Sequence, residues 1–369
     1  MKKRLAIWIP GGIGTGHFSQ GYPMLEKILI RLSEDFHIVV YSHAPPNVGY
    51  SSEHFLLRTT TTSSRPRWRW IMLLRHFFQD HQREPFDLLF ACWGFPGGVL
   101  VTLLGKLLGL PSVIYILGGD AAGVSSIDYG IFHRPWKRRV ALWAYKRTSV
   151  LITISRFQKD YLTQFGVDRI IDVIPWGADQ SRFAFRKKSP EGVIHFLHAA
   201  HLAPVKDQVT LLRAFSLLSK NQSAKLRIVG GDTMGGAIQK LCRELGLEDS
   251  VEFLDMVPYD EMPQHYSWAH ILLHTSLSEG QCMSMTEAAA TGVLIAGTRV
   301  GLLYDLGDQC GIAVQVGDFK ALSERILEAV QNPQEWEAKV YKAQAWSQLH
   351  DFEWTITELK RILAMKTKK

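Results

Sequence analysis

Two glutamates eight positions apart, Glu279 and Glu287, flank a glycine and the start of a short predicted helix. This spacing allows one carboxylate to lie in a loop and the other in the first turns of the helix. Loop N–H groups and a helix N-terminus offer partial positive charge to a diphosphate, and carboxylates accept hydrogen bonds from sugar hydroxyls. Such an arrangement can hold a sugar nucleotide at both ends.

A purely structural interpretation of the same residues is also open. Ser284 and Glu287 have the three-residue spacing of a capping box, in which the glutamate returns a hydrogen bond to the first turn of its own helix. Glu279 would then be an ordinary exposed loop acid. Because short motifs also occur by chance, the choice depends on the rest of the chain.

The chain has 369 residues, more than a single hydrophobic core usually supports, so we expect two domains of comparable size. A hydrophobic content of 46% and a charged content of 21% are typical of a folded soluble protein. The four cysteines are far apart and form no CxxC motif or Cys/His ligand cluster, which predicts a reduced cytosolic setting. They are Cys92, Cys242, Cys282 and Cys310.

Two apolar segments in the first third of the chain have the composition of targeting or membrane segments. The run from Leu5 to Ile9 has only five residues, which is too short for a signal peptide. The stretch from Gly98 to Leu117 is long enough to span a membrane, but Lys106 and Pro111 interrupt it. We therefore predict a buried helix, a turn at Pro111 and a buried strand.

Short β-rich runs alternate with helical stretches along the chain, which predicts doubly wound parallel sheets of the α/β class. A polar stretch at residues 179–192 divides these runs into two sets and is predicted to be a linker. The predicted strands are residues 5–9, 36–42, 87–92, 112–117, 149–154, 170–174, 193–199, 225–229, 251–254, 271–274, 293–296 and 312–314. We expect domains at residues 1–180 and 193–349, and a C-terminal segment at 350–369 that packs back on the first domain.

The segment from Glu279 to Val293 resembles the Glu-x7-Glu motif of the retaining glycosyltransferases of family 4. The resemblance covers nearly the whole chain, weakly in the first domain and strongly in the second. It implies the GT-B architecture, in which two Rossmann-like domains with parallel sheets face each other across a cleft. By resemblance, Glu279 bonds a donor sugar hydroxyl, Glu287 holds the ribose, and backbone amides around Gln281 to Ser284 contact the sugar and phosphate. These donor-binding residues are Gly280, Gln281, Cys282, Met283 and Ser284.

The segment from Ala200 to Asp207 resembles the family segment whose two cations neutralise the diphosphate leaving group. Lys206 fits this role, because an ammonium at a helix entry stabilises charge that develops on a phosphate. His201 stands where the family usually has arginine, and a histidine offers fewer donors and a titratable charge. Without the resemblance, Lys206 would be taken for a solvated surface lysine.

A glycine-rich loop at residues 10–17 resembles the family's first-domain loop near the donor phosphate, with Gly12 and Gly14 as candidates for donor contact. It is not the dinucleotide fingerprint, since His17 and Ser19 stand where glycines would be required. The second strand also lacks the terminal acid that holds a ribose, which argues against an NAD oxidoreductase. A tight turn without a ligand is the alternative.

Three further positions are candidates by resemblance. Gly231 and Val257 match family positions beside the nucleotide, although both also fit plain strand-to-helix turns. Asp120 follows Gly119, which stands where many family members carry a histidine, and is a candidate for contact with the donor or acceptor sugar. The predicted catalytic residues are Asp120, Lys206 and Glu279.

The net charge of +7 is unevenly spread, and two segments mix cations with aromatic residues, from Arg65 to Phe78 and from Trp136 to Arg147. Such segments suit a lipid interface, with rings at headgroup depth and arginines near anionic phosphates. Alternatively, each is an amphipathic helix whose apolar side enters the core. Nucleic acid is not an expected partner, because no binding module accompanies the charge. We expect a cytoplasmic protein, peripheral on the inner face of the cytoplasmic membrane.

These features predict a retaining glycosyltransferase of the hexosyltransferase type that uses a nucleotide diphosphate sugar as co-substrate. The expected acceptor is a saccharide or lipid-linked hydroxyl in polysaccharide, lipopolysaccharide or glycolipid biosynthesis. No cofactor or metal is expected, because cationic side chains and a helix terminus balance the charge and no Asp-x-Asp pair ends a strand. His201 and Gly119 leave open a non-catalytic relative that binds a glycan or a protein partner.

Overall fold

The computed structural model describes residues 2–16, 21–60 and 66–365. The strands in these ranges form two parallel sheets, of seven and six strands. They are Lys3–Ile9 (β1), Phe36–Ser42 (β2), Leu56–Arg58 (β3), Leu88–Cys92 (β4), Ser112–Ile116 (β5), Val150–Thr153 (β6), Asp172–Val173 (β7), Ile194–Ala199 (β8), Ala224–Val229 (β9), Val251–Leu254 (β10), Ile271–His274 (β11), Leu294–Thr298 (β12) and Gly311–Val314 (β13).

Helices follow most of the strands. They are Pro23–Ser33 (α1), Pro66–Arg83 (α2), Val99–Leu108 (α3), Pro135–Arg147 (α4), Arg156–Gln164 (α5), Gln208–Asn221 (α6), Ala237–Glu244 (α7), Met262–Trp268 (α8), Met283–Thr291 (α9), Gly301–Leu306 (α10), Phe319–Gln331 (α11), Pro333–Leu349 (α12) and Phe352–Met365 (α13). Short turns of 3-10 helix connect several of them.

The first domain contains the seven-stranded sheet, in the order β3-β2-β1-β4-β5-β6-β7. Strands β4 and β5 are buried at every position, as expected for parallel strands that helices cover on both faces. One face of the sheet packs against α1 and α13, and the other against α2, α3 and α4. The domain therefore has three layers, with apolar clusters on both sides of the sheet.

The second domain contains the six-stranded sheet, in the order β10-β9-β8-β11-β12-β13. Helices α6, α7 and α11 pack on one face, and α8, α9 and α10 on the other. The strand order reverses between β8 and β11, as it does between β1 and β4 in the first domain. Ligands of doubly wound sheets bind beyond the carboxyl ends of the strands at such a point. The loops after these four strands are thus the expected ligand contacts.

The last helix, α13, contributes to the core of the first domain. Its apolar side chains share one buried cluster with residues of β1, β2 and β4. The hydroxyl of Thr355 in α13 donates to the carbonyl of Pro175 at 2.8 Å and accepts from the N–H of Gly177 at 2.9 Å. A Cβ on Gly177 would lie 2.1 Å from the carbonyl carbon of Asp351, so this close crossing requires glycine. The exact limits of the domains stay a prediction.

All predicted strands are present, and the predicted helix and strand between residues 98 and 117 are α3 and β5. The expectation of two α/β domains is therefore confirmed. The sequence did not predict β3, an edge strand of three residues that pairs with β2. Across the described ranges, the helices lack the combination of length and apolar composition that crossing a membrane requires.

Candidate active site

The motif loop, residues 275–282, joins β11 to α9 at the carboxyl edge of the second sheet. Glu279 lies in this loop with 10% of its side chain exposed, and Glu287 is buried within α9. The alanine-rich sequence of α9 favours a helix, which ends at Gly292 with φ +77°, a conformation suited to glycine. One acid thus lies in the loop and one in the helix, as the spacing predicts.

Three donors converge on one oxygen of Glu279. Its Oε1 accepts from Lys206 Nζ at 2.5 Å and from Ser276 Oγ at 2.8 Å. The Nε2 atom of His274, at the end of β11, lies 3.0 Å from the same oxygen. Burial raises the pKa of Glu279, but Lys206 and His274 outweigh it and hold this pKa well below its usual range.

Lys206 is correspondingly fixed in its charged form. Burial lowers the pKa of its ammonium, but the charge of Glu279 outweighs burial and raises the pKa above its ordinary value. Both alternatives from the sequence are therefore wrong for this pair. Glu279 is not an exposed loop acid, and Lys206, whose side chain is 22% exposed, is not a freely solvated lysine.

His274 also contacts Cys282, the residue that precedes α9. The Nε2 atom of His274 lies 3.4 Å from Cys282 Sγ, and Ser284 Oγ lies 3.1 Å from the same sulfur. Burial lowers the pKa of His274, but Cys282 and Glu279 outweigh it and raise this pKa to about 9. The expectation that the cysteines form no Cys/His cluster is wrong, because the fold brings together residues that are eight positions apart.

Two tyrosines hold the carboxylate of Glu287. Tyr266 donates to Oε2 at 2.6 Å, and Tyr259 donates to Oε1 at 3.0 Å. Burial raises the pKa of Glu287 to about 7, although these two hydrogen bonds oppose the shift. The capping-box interpretation is wrong, because the N-cap of α9 is Cys282 rather than Ser284.

A cleft separates the two domains at the motif loop, and its first cavity has a volume of about 450 Å³. Lys206 and residues 279–284 line this cavity from the second domain. Trp93 and Tyr129 line it from the first domain. Residues 279–284 of the motif therefore face a space that both domains enclose.

An adjoining cavity of about 550 Å³ is lined by Gly12, Val257 and Tyr259. Tyr22 and His201 line both cavities, which makes the cleft continuous. Tyr259 lies between this second cavity and Glu287, since its phenol bonds the carboxylate. Tyr259 thus occupies Oε1 of Glu287, and contact of Glu287 with a ribose stays a prediction.

The remaining candidates are placed less centrally. Gly231 lines a third cavity of about 440 Å³, and a Cβ on it would lie 3.5 Å from Nδ1 of His201. Gly14 packs against Tyr50, since a Cβ on it would lie 2.3 Å from that ring. His17, in the same glycine-rich loop, lies outside the described residues.

Asp120 has a different environment from the one expected. Its carboxylate accepts from the N–H of Gly94 at 2.6 Å and from the N–H of Gly118 at 2.7 Å. Burial raises its pKa although these hydrogen bonds oppose the shift. Asp120 therefore orders the loops after β4 and β5, and its contact with a sugar stays a prediction.

The side chain of Gln281, like that of Asp120, forms hydrogen bonds within the protein. Its Oε1 accepts from the N–H of Trp176 at 2.8 Å, and its Nε2 donates to the Trp176 carbonyl and to Thr286 Oγ1, each at 2.8 Å. The side chain thus ties the motif loop to the end of the first domain. Its predicted donor contact would fall to its backbone.

Direct contacts also join the motif loop to the first domain. Ser155 donates to the carbonyl of Gly280 at 2.5 Å, and a Cβ on Gly280 would lie 2.3 Å from the carbonyl oxygen of Leu117. Asp305 in α10 accepts from the N–H groups of Arg156 and Phe157, which begin α5. The end of β5 and the start of α5 therefore fix the distance between the domains.

The sequence did not single out four polar residues around the two glutamates. They are Tyr259, Tyr266, His274 and Ser276. His274 ends a strand that was predicted directly before the motif, so its position was a usable signal. The tyrosines lie on and beside α8, and their phenol contacts depend on packing between helices.

Two family models match the chain. The model described as Glycosyltransferase Family 4 matches residues 25–182, and the model described as Glycosyl transferases group 1 matches residues 179–346. The matches meet at the polar stretch that separates the two sheets. Together they account for the first domain from α1 onward and for the second domain.

One curated relative is the GDP-mannose-dependent alpha-(1-6)-phosphatidylinositol monomannoside mannosyltransferase of Mycolicibacterium smegmatis. The two proteins are 25% identical over 328 residues, which cover 82% of this chain and 81% of the relative. This similarity extends through both domains.

Two solved structures share the whole fold. Sucrose-phosphate synthase from Thermosynechococcus elongatus superposes with a TM-score of 0.81 at 17% identity, over 99% of both chains. HepE from Anabaena, in complex with UDP, superposes with a TM-score of 0.77 at 20% identity, over 99% of this chain and 100% of that one. These likenesses confirm the predicted fold of two Rossmann-like domains that face a cleft.

Proposed function

The chain belongs to the family 4 glycosyltransferases, and from that membership we propose that it transfers a sugar from a nucleotide diphosphate sugar to an acceptor hydroxyl with retention of configuration. The observation that carries this proposal is the buried ion pair of Lys206 and Glu279 at the edge of the cleft. A fixed ammonium beside a cavity of sufficient size suits a diphosphate leaving group. The curated mannosyltransferase relative, which is GDP-mannose-dependent by name, supports the same donor class.

In this proposal the sugar of the donor lies in the cavity formed by the motif loop. Lys206 and the N–H groups at the start of α9 stabilise the negative charge that develops on the diphosphate as the bond to the sugar breaks. His201 contacts the same diphosphate in this proposal, which its position on the lining of both cavities supports. Glu279 accepts a hydrogen bond from a sugar hydroxyl and Glu287 from the ribose, after Tyr259 moves aside.

The configuration of the sugar is retained if the acceptor hydroxyl attacks the sugar carbon from the same face that the diphosphate leaves. The acceptor oxygen forms the new bond to the sugar carbon, and the departing phosphate oxygen takes the acceptor's proton. Glu279 is a weak base and a weak nucleophile, because Lys206, His274 and Ser276 converge on its Oε1 and its pKa is held well below the usual range. The side chains around this acid thus support front-face transfer rather than a protein nucleophile.

A glycolipid or polysaccharide hydroxyl is the proposed acceptor, reached from a membrane surface. The helices α2, α3 and α4 cover the same face of the first sheet, and each also exposes apolar side chains to solvent. The exposed apolar residues of these helices are Trp68, Ile71, Met72, Leu103, Leu107, Trp136 and Val140. Arg65, which begins the basic segment predicted from the sequence, lies outside the described residues.

Leu73 and Phe77 of α2 are fully buried in the cluster beneath these helices. The core interpretation of the basic segment therefore holds for one side of α2. The opposite side carries the exposed Trp68 and Ile71, which suit the boundary of a lipid layer. Exposed Arg139 and Lys146 of α4 supply cations for anionic headgroups. We call the exposed side of α2, α3 and α4 the outer helical face.

The test of the donor proposal is a thermal-shift panel of UDP-, GDP- and ADP-sugars. We expect one nucleotide to raise the melting temperature, and we expect this rise to be lost in Lys206→Ala and in Glu287→Ala. NMR analysis of the product then gives its anomeric configuration. Absence of any nucleotide-sugar response would contradict the proposal, whereas binding without transfer would favour the non-catalytic alternative.

A further inference from the structure

Three side chains with different metal-ligand atoms meet beside the cleft. The Nε2 atom of His274, an oxygen of Glu279 and Cys282 Sγ lie within 4.8 Å of one another. His274 lies at the end of β11, Glu279 lies in the motif loop, and Cys282 directly precedes α9. His274 is fully buried, and Glu279 and Cys282 line the cavity.

The separations of these atoms are close to those in a tetrahedral zinc site. Bonds of about 2.0 Å to nitrogen and about 2.3 Å to sulfur, at a tetrahedral angle, place those two atoms about 3.5 Å apart. Here His274 Nε2 lies 3.4 Å from Cys282 Sγ and 3.0 Å from Glu279 Oε1. Small side-chain shifts would therefore allow one zinc ion to take the place of the hydrogens that lie between His274 Nε2, Glu279 Oε1 and Cys282 Sγ.

We propose that His274, Glu279 and Cys282 form a binding site for one zinc ion, with a fourth coordination position open to the cleft. A thiolate, an imidazole and a carboxylate together match zinc, whereas Mg²⁺ and Ca²⁺ prefer sites made of oxygen ligands. Three protein ligands with an open position are typical of exchangeable or reactive zinc sites. Binding displaces the thiol proton of Cys282 and the proton on His274 Nε2, and both are released to solvent.

The surroundings of His274 indicate an exchangeable ion rather than a permanent structural one. A zinc-bound histidine usually donates its other N–H to a carboxylate or carbonyl. In the part of the chain that the structure describes, His274 Nδ1 is buried without a hydrogen-bond partner. The N–H that stays on Nδ1 when Nε2 binds zinc would thus be unsatisfied, which lowers the affinity.

The ion would compete with Lys206 for Glu279. Lys206 Nζ lies 2.5 Å from Glu279 Oε1, and two cations cannot both approach this oxygen closely without strong repulsion. Bound zinc would therefore separate the ion pair that holds Lys206 for the diphosphate. This antagonism rests on the proposed function, whereas the zinc site itself does not.

Cobalt binding to the full chain tests the site. We expect one Co²⁺ per chain and a thiolate-to-cobalt absorption band that zinc abolishes. The band should be lost in Cys282→Gly, which removes the thiol and suits the backbone, because Cys282 has φ +78°. Cys310→Ser, which removes another partly buried thiol of the second domain, should keep it. No band in the wild type, or an equal band in Cys282→Gly, would overturn the site.

A second arm separates this inference from the proposed function. Titrating the stabilising nucleotide sugar into protein saturated with zinc should give an apparent Kd at least about tenfold weaker than without zinc. An unchanged Kd would overturn the antagonism. If cobalt binds and no nucleotide sugar does, the proposed function fails while the zinc site stands.

Discussion

The ammonium of Lys206 lies 2.5 Å from the carboxylate of Glu279, although 73 residues separate them. Lys206 follows β8 and Glu279 follows β11, the two strands between which the order of the second sheet reverses. A charged pair therefore joins the loops after β8 and β11, at the point where the strand order of the sheet reverses. A ligand that enters the cleft meets a lysine whose charge and position are already set.

We expect Lys206→Ala to lower the free energy of unfolding by about 1.5–3 kcal/mol, because it leaves the nearly buried carboxylate of Glu279 with His274 and Ser276 but without its lysine partner. The double variant Lys206→Ala with Glu279→Gln should recover part of this loss. Chemical denaturation gives the free energies of unfolding of wild type, Lys206→Ala and the double variant. Lys187 and Glu337 form the matched control, since they are 66% and 45% exposed, and Lys187→Ala should leave the free energy of unfolding nearly unchanged. Equal losses at both lysines would contradict the buried pair.

The raised pKa of Glu287 predicts a pH dependence of stability. Its pKa rises from 4.5 to about 7 on folding, so its protonated form stabilises the folded state. This contribution is complete below pH 4.5 and is lost as the pH rises through about 7. Wild type should therefore lose stability relative to Glu287→Gln over this window, by up to about 1.4 kcal/mol per pH unit. A constant difference between the two unfolding free energies would refute the shift.

The two tyrosines on Glu287 should respond differently to loss of the hydroxyl. Tyr266 is fully buried, so Tyr266→Phe leaves Glu287 Oε2 unsatisfied and should cost about 1–3 kcal/mol of stability. Tyr259 lines the cleft, so Tyr259→Phe should free Oε1 for a ribose and leave nucleotide affinity equal or higher. Calorimetric titration and denaturation of the two variants give the comparison. Weaker nucleotide binding in Tyr259→Phe would show that its hydroxyl helps to hold the ligand.

Gly280→Ala should disturb the contact between the domains. The added methyl would lie 2.3 Å from the carbonyl oxygen of Leu117, and relief of this overlap requires the motif loop to move away from β5. We expect a loss of about 1–3 kcal/mol in stability and a larger radius of gyration by small-angle X-ray scattering. Gly97→Ala is the control, because its methyl would meet atoms no closer than 3.8 Å. Identical scattering and stability of the two variants would contradict this expectation.

The outer helical face predicts binding to anionic vesicles. Replacement of Trp68 and Trp136, which are 58% and 63% exposed, by alanine should reduce the sedimented fraction with phosphatidylglycerol vesicles. Neutral vesicles should bind wild type weakly. Leu349→Ala is the control, since Leu349 is 69% exposed but lies in α12 of the second domain. If the tryptophan variant sediments like wild type, the face has another role.

The sequence predicted the strands because their apolar runs are buried on both faces, and it placed Glu279 and Glu287 correctly in a loop and a helix. It did not predict β3, which has three residues and no buried position. It also missed the meeting of His274 with Cys282, because that contact depends on the path of the chain between β11 and α9. The bonds of Tyr259 and Tyr266 to Glu287 depend on how α8 packs against α9, which residue spacing along the chain does not specify.

The packing of α13 against the first sheet bears on how the polypeptide is made. A ribosome releases β1 first and α13 only after the second domain. Until then, the apolar positions of β1 and β4 that share a cluster with Phe352 and Leu359 lack their final cover. The nascent first domain is therefore exposed to chaperones and proteases for as long as synthesis of the second domain takes.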